Sequence, residues 1–583
     1  MVSYSKEVHL MGKIDRKHLM DVAAGRVEAD LVITGARVID VCNGRITEGD
    51  VAIVDGMIAG IGSYRGKQRF DARGKFLAPG FIDGHVHIES SLVDPASFAD
   101  LVVPHGTTTV IADPHEICNV CGLDGLDYLL ESSEDLPLSV FLMIPSCVPA
   151  TTFEHSGAVM DAQAIAQRIK VDRVLGLGEM MDAVGTVGAE QRILDKLAVA
   201  YETGKLIDGH APGLSGHELN AYAAASIHTD HECATKEDLQ DRIARGMHVL
   251  LREGSACHDL RNLLQGVDAS NSRMCLFCTD DRQPFSILEE GHVDNHLRIA
   301  VEEGVHPIEA IRMATLNASE CYRLYDRGAI VPGRRADLVL LEDLRKFKVM
   351  NVWTGGNLFV PRTEGTMAPI PPAVAGRMNI GDFSIGKLRL YLSRPTVRVI
   401  DILEGSVVTE SGKATVPIGT DGCYENDPTQ DVVKLAVIER HQGTGNVGLA
   451  LIRGYGLQHG AVATTIAHDS HNIIVAGDND PDMVLAVETL MRLGGGIVMV
   501  HAGEVLDSLA LPIAGLMTNL GGNHVHERFT QMHRKAVRRL SIHDGIDPFM
   551  TLSFMALPVI PHLKVTDMGL FDVDAFRFVP LEL

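Results

Sequence analysis

The sequence predicts an α/β protein. It would comprise a (β/α)8 barrel, a small β-sandwich formed from the segments flanking the barrel, and a C-terminal α/β domain. Three observations lead there. Residues 80–326 alternate short apolar runs with helical stretches over about 250 positions, the length and rhythm of eight βα units. β-rich text stands on both sides of that stretch. Finally, the predicted strands end near His87, Asp113, Ile144, Glu179, His210, His231, Arg252 and Asp280, and most of those ends carry a His, Asp or Glu. Barrel enzymes place their catalytic groups at such ends.

In chain order, residues 6–24 read as a short polar helix. From Glu28 to about Gly62, β-rich runs are broken by Asn-Gly, Glu-Gly and Asp-Gly turns, and GAIVPGRRADLVLLE at 328–342 matches them in character. Segments 1–79 and 327–375 are therefore assigned to one composite β-sandwich and 80–326 to the barrel. The third unit, 376–583, is rich in Gly and β-branched residues. It holds one clear helix, with Asp480 as N-cap, Pro481 in the first turn, and Met483, Val487, Leu490 and Met491 on one face.

Bulk properties narrow the function. The formal net charge of -24 argues against nucleic acid or an anionic membrane as a standing partner. No apolar run reaches the roughly 18–20 residues of a membrane helix, and the charged N-terminal text lacks a signal-peptide core. Ten cysteines, sparse and irregularly spaced, suit free thiols in a reducing compartment, so a cytoplasmic location is expected.

The chemistry is carried by histidines and carboxylates. GFIDGHVHIESS at 80–91 is an apolar strand ending in His85 and His87, and the strand period of two turns both imidazoles to one side. Two neutral ring nitrogens so placed grip a metal. The pattern alone is weak, since His524 and His526 repeat it. Later strand ends strengthen it, with His210 in DGHAPG, His231 in HTDHE and Asp280 in CLFCTDD.

That order of ligands resembles the amidohydrolase superfamily. GFIDGHVHIESS, DPHEICNV, GLGEMMD, DGHAPG, HTDHE and the late IAHDSHN together resemble its adenine deaminase branch over essentially the whole chain. The resemblance implies a metal-dependent hydrolase that converts adenine to hypoxanthine and ammonia. It also implies two divalent ions. His85, His87 and Glu179 would hold one and Glu179, His210 and His231 the other, with Asp280 near the first as general base and then acid. Glu179 stands where most binuclear relatives use a carboxylated lysine. Imidazole and carboxylate ligands fit Zn2+, Mn2+ or Fe2+, and the resemblance favours Fe2+ or Mn2+. It also implies a homo-oligomer, with a dimer favoured. The alternative within the superfamily is amino-sugar deacetylation or cyclic amide hydrolysis.

Other residues are candidates for holding substrate: Glu253 and His115, which follow strand ends, Asp281, and His468 and His471, whose spacing requires a turn if both are to reach the barrel mouth. A structural role stands beside each. His87-Ile88-Glu89 followed by Cys118 and Cys121 imitates the zinc signature of cytidine-type deaminases, but Ile117 stands where that signature has Pro.

Overall fold

The computed structural model describes residues 15–362 and 364–583. Its centre is a set of parallel strands: β1 (Phe81–Val86), β2 (Thr107–Ala112), β3 (Ser139–Ile144), β4 (Val174–Met180), β5 (Leu206–Gly209), β6 (Thr229–Asp230), β7 (His248–Arg252) and β8 (Cys275–Cys278). Each ends within two residues of its predicted position. Helices alternate with them, Gln191–Thr203 and Lys236–Ala244 among them, the latter opened by a reciprocal Thr235–Asp238 cap.

The ladders form a five-stranded curled sheet, β5-β4-β3-β2-β1, and a three-stranded sheet, β6-β7-β8, where a single closed sheet was expected. Both seams have local causes. β6 is only two residues long, and Asp280 has φ 59°, a left-handed conformation that ends the extended run of β8. Individual hydrogen bonds still span the seams. His228 N–H donates to Ile207 O at 3.1 Å, Asp280 N–H to His85 O at 3.0 Å, and His87 N–H to Asp280 O at 3.1 Å. Ile82, Ile111, Phe141, Met143, Leu250 and Leu276 pack between the two sheets, with Tyr322 and Leu324 against them. The site therefore rests on an apolar floor.

Both flanks of this unit enter one eight-stranded sheet, in which Leu338–Leu341 pairs with Phe76–Pro79. The long strand Ala29–Asp40 has a register break between Ile33 and Ala36 and pairs Gly66–Asp71 with its first half and Phe76–Pro79 with its second. Of the helix expected at 6–24, Arg16–Ala23 is helical and positions 6–14 lie outside the described residues.

The C-terminal part forms a second eight-stranded sheet, largely antiparallel, with helices Asp480–Leu493 and Gly522–Leu540. The N-cap of the first helix is Asn479, whose side chain accepts from Asp482 N–H at 2.9 Å. The expected cap, Asp480, pairs with Lys434 instead. Met483, Val487 and Leu490 are buried, whereas Met491 is exposed. Among the described residues no helix is long and apolar enough to cross a membrane.

Candidate metal centre and adjoining cavity

The C-terminal ends of β1, β4, β5, β6 and β8 bring His85, His87, Glu179, His210, His231 and Asp280 together. Glu179 Oε2 lies 2.8 Å from His210 Nδ1 and 3.3 Å from His231 Nε2. Glu179 Oε1 faces His87 Nε2 at 3.6 Å and His85 Nε2 at 3.9 Å. Asp280 Oδ1 lies 3.0 Å from His87 Nε2 and 3.5 Å from His85 Nε2. One carboxylate thus reaches two histidine pairs, one with each oxygen, and Asp280 closes the first pair.

This donor set fits divalent cations. His85 Nε2 and His87 Nε2 face each other at 3.2 Å. His87 Nδ1 lies 2.8 Å from the Asp113 carbonyl, which can only accept, so in the neutral ring the proton sits on Nδ1 and the Nε2 lone pair is free. Glu179 Oε1 is buried and makes no well-aligned hydrogen bond among the described residues, although His115 Nδ1 lies 2.9 Å away, and a buried carboxylate oxygen is costly unless positive charge stands close to it. Burial opposes ionisation of Glu179, but His115, His210 and His231 outweigh it and hold the carboxyl well below the usual range. Burial likewise opposes ionisation of Asp280, yet His85, His87 and Arg252 hold it well below that range.

The supports around the centre are as specific as the six converging residues. Asp113 Oδ2 accepts the Glu179 N–H at 2.8 Å. Arg252 Nη1 donates to Asp280 Oδ2 at 3.0 Å and also pairs with Glu232 and Asp259. Thr279 clamps Asp83 through Oγ at 2.5 Å and N–H at 3.1 Å, tying β8 to β1. Asp230, at the end of β6, accepts the N–H groups of Ala211 at 3.1 Å and Glu232 at 3.0 Å, which directly follow His210 and His231.

Beside the centre lies a cavity lined on the barrel side by Glu89, Ser90, Leu92, Glu116, Ala256, Asp281 and Gln283. The six converging residues do not line it. It abuts them through Asp281, whose carboxylate lies within reach of His87 and Asp280. Its other wall comes from the C-terminal part and is mostly apolar, with Ile466, Ile497, Leu516, Phe529, Phe549, Met550 and Phe554. His468 and His471 line it as well.

The remaining candidates fall in different places. His115 Nδ1 is 2.9 Å from Glu179 Oε1, next to the centre rather than in the cavity. Glu253 is hydrogen-bonded to His258 at 2.8 Å and is not among the cavity residues. Cys118 lies buried in the helix His115–Cys121, and burial pushes its thiol well up, away from the thiolate a zinc ligand needs. Sequence reasoning missed Glu116, which receives both His468 and His471 although it sits inside the DPHE text already singled out. It placed Arg252 only as a strand end, not as the partner of Asp280, and it missed the aromatic wall, whose members come from separate segments and carry no local signal.

Two family patterns match the chain: the amidohydrolase family over residues 76–359 and the adenine deaminase C-terminal domain over 406–577. Among curated relatives, adenine deaminase 2 of Desulfotalea psychrophila is 54% identical, covering 98% of this chain and 100% of its own length. Adenine deaminase of Nitratidesulfovibrio vulgaris is 53% identical over 96% of this chain and 98% of its own. Adenine deaminase 2 of Carboxydothermus hydrogenoformans is 47% identical over 97% and 99%.

Proposed function

We infer the reaction from a plain premise: the chain belongs to the adenine deaminase branch of the amidohydrolase family. It hydrolyses adenine to hypoxanthine and ammonia. The observation that carries the reading is Glu179, ionised, buried, and reaching two histidine pairs with its two oxygens.

We take the two parallel sheets as halves of one eight-stranded barrel, supported by the hydrogen bonds across both seams. His85, His87 and Glu179 would hold one ion and Glu179, His210 and His231 a second, a pairing supported by the two clusters these atoms form. Divalent ions held there would lower the pKa of a water from 15.7 to about 7 and so supply a nucleophile at neutral pH. Fe2+ and Mn2+ suit the imidazole and carboxylate donors, as does Zn2+.

Asp280 is held ionised beside the first pair and accepts the proton of the attacking water. The water oxygen bonds to C6 of the purine. Asp280 gives that proton to N1, then takes the remaining hydroxyl proton and delivers it to the exocyclic nitrogen, so that C6=O forms, the C6–N bond breaks, and ammonia departs. Arg252 holds the other Asp280 oxygen, which aims Oδ1 inward throughout. The apolar wall of the cavity suits a flat heteroaromatic base and offers little to a polyhydroxylated amino sugar.

Ammonia release is measured with adenine after adding Fe2+, Mn2+ or Zn2+ separately, beside acetate release from an N-acetylated amino sugar. Metal-dependent ammonia and no acetate is the expected result. The reverse would sink the reading.

A further inference from the structure

We propose that His468, carried by the C-terminal part of the chain, is a specificity-determining residue that contacts one ring nitrogen of the purine. The proposal rests on the adenine reading above and deepens it.

The loop bearing His468 is tightly held. His468 N–H donates to Ser553 O at 2.9 Å and His471 N–H to Ala467 O at 2.7 Å. Arg440 is fully buried and directs its guanidinium to carbonyl oxygens, those of His471, Arg377 and Ala514. The backbone on either side of the two histidines is thereby fixed.

The ring protons can be assigned from partners. Ala467 N–H donates to His471 Nδ1 at 3.2 Å, so neutral His471 carries its proton on Nε2 and donates it to Glu116 Oε2. An ionised carboxylate only accepts, so His468 must donate from Nδ1 to Glu116 Oε1, at 2.7 Å. The same assignment rules on a tempting alternative. Glu116, His468 and His471 form a group of metal-ligand type, but His471 has its Nδ1 lone pair engaged and a proton on Nε2. It has no lone pair left for a cation. This contrasts with His87, whose Nδ1 donates to a carbonyl and whose Nε2 is free. The cluster is a hydrogen-bonded triad.

One atom is left over. His468 Nε2 has no hydrogen-bond partner among the described residues, and its ring lines the cavity, stacked on Phe554 at 4.5 Å between centroids and 19° between planes. The other polar side chains on that wall each make at least one hydrogen bond within the protein. Thr464 Oγ accepts from Ile466 N–H at 3.0 Å, Ser553 Oγ donates to Met550 O at 2.7 Å, and His471 is engaged on both nitrogens. Among the described residues, His468 Nε2 is thus the side-chain nitrogen on this wall that has no partner within the protein. A purine offers N3, N7 and the N9 position to it, while N1 is the atom Asp280 serves.

The test is a cycle between enzyme and substrate. His468→Ala and His468→Gln are compared with the parent on adenine, 3-deazaadenine, 7-deazaadenine and 9-methyladenine. With adenine each substitution should lower kcat/KM by about 10–100-fold, chiefly through KM, as expected for a lost buried hydrogen bond. With the one analogue lacking the contacted atom it should cost nothing further. An equal loss on all four bases, or a loss confined to kcat, overturns the proposal. Calorimetric binding of the same bases in an Asp280→Asn background repeats the cycle without turnover. Failure to release ammonia then counts against the deaminase reading alone, and base-independent affinities count against His468 alone.

Discussion

Replacing Arg242 by Met should show that a brace well behind the ligands holds the second half of the centre. Arg242 is 1% exposed and Asp230 0%. The guanidinium donates to Asp230 Oδ2 at 2.9 Å, Leu214 O at 3.0 Å and Ala211 O at 2.5 Å. Methionine keeps the length and apolar bulk but strands the carboxylate. Breaking a buried pair from one side costs about 3–5 kcal/mol. Protonating Asp230 is the escape, and from an unfolded carboxyl near 3.9 that costs ~4 kcal/mol at pH 7 and ~1.5 kcal/mol at pH 5. In the parent, burial opposes ionisation but Arg242 outweighs it and Asp230 titrates below its usual value. Its contribution is then complete above the unfolded pKa and lost only as pH falls through the folded one. In the variant the folded pKa is raised, so stability is lost as pH rises. The gap between the two proteins should therefore widen by about 2.7 kcal/mol from pH 5 to pH 7. Urea unfolding followed by circular dichroism at pH 5, 6 and 7 measures it. A gap that does not change with pH, or one below about 1 kcal/mol at pH 7, would refute the argument.

Asp280→Asn should keep its metal and lose about 10²–10⁴-fold in kcat, read by ammonia release beside metal analysis; loss of the metal would make Asp280 a holder rather than a proton carrier. Glu179→Gln weakens both ion sites at once because its two oxygens serve both histidine pairs. Metal content after dialysis should drop accordingly, and full retention would contradict the shared role. Thr279→Val removes a donor from Asp83, whose carboxyl burial already pushes up to about 7. A cost of about 1–3 kcal/mol is expected, growing as pH rises because the raised group loses stability in that direction. A cost that shrinks with pH would show that Asp83 is not the group affected.

The ends of most of the central strands were readable because an apolar run gives way there to a His, Asp, Glu or Arg. Glu179 and Asp280 follow LGLG and LFCT, and that contrast survives in one dimension. The seams were not readable. β6 shrinks to Thr229–Asp230 and Asp280 adopts a left-handed conformation, and neither fact has a signature in residue type. The supports were hidden for another reason. Arg252 reads as any arginine until Glu232, Asp259 and Asp280 close around it from three directions. Glu116 needed a partner about 350 residues away in sequence, which local spacing cannot reveal.

The two His-x-His pairs make the same point from opposite sides. His85 and His87 stand at the end of a strand, where alternate residues share a face, and their Nε2 atoms meet at 3.2 Å. His524 and His526 carry the same text on the helix Gly522–Leu540. A helix turns roughly 100° per residue, so positions two apart diverge by about 200°. His524 is exposed, Val525 between the two is buried, and His526 stacks on Phe285. What separates a metal grip from a surface pair is therefore the backbone beneath the motif. That backbone is set by neighbours: the strand-favouring Phe81 and Ile82 run ahead of His85, whereas Gly521-Gly522 opens a long amphipathic run ahead of His524. A motif written in residue types becomes chemistry only once the period of its surroundings is known.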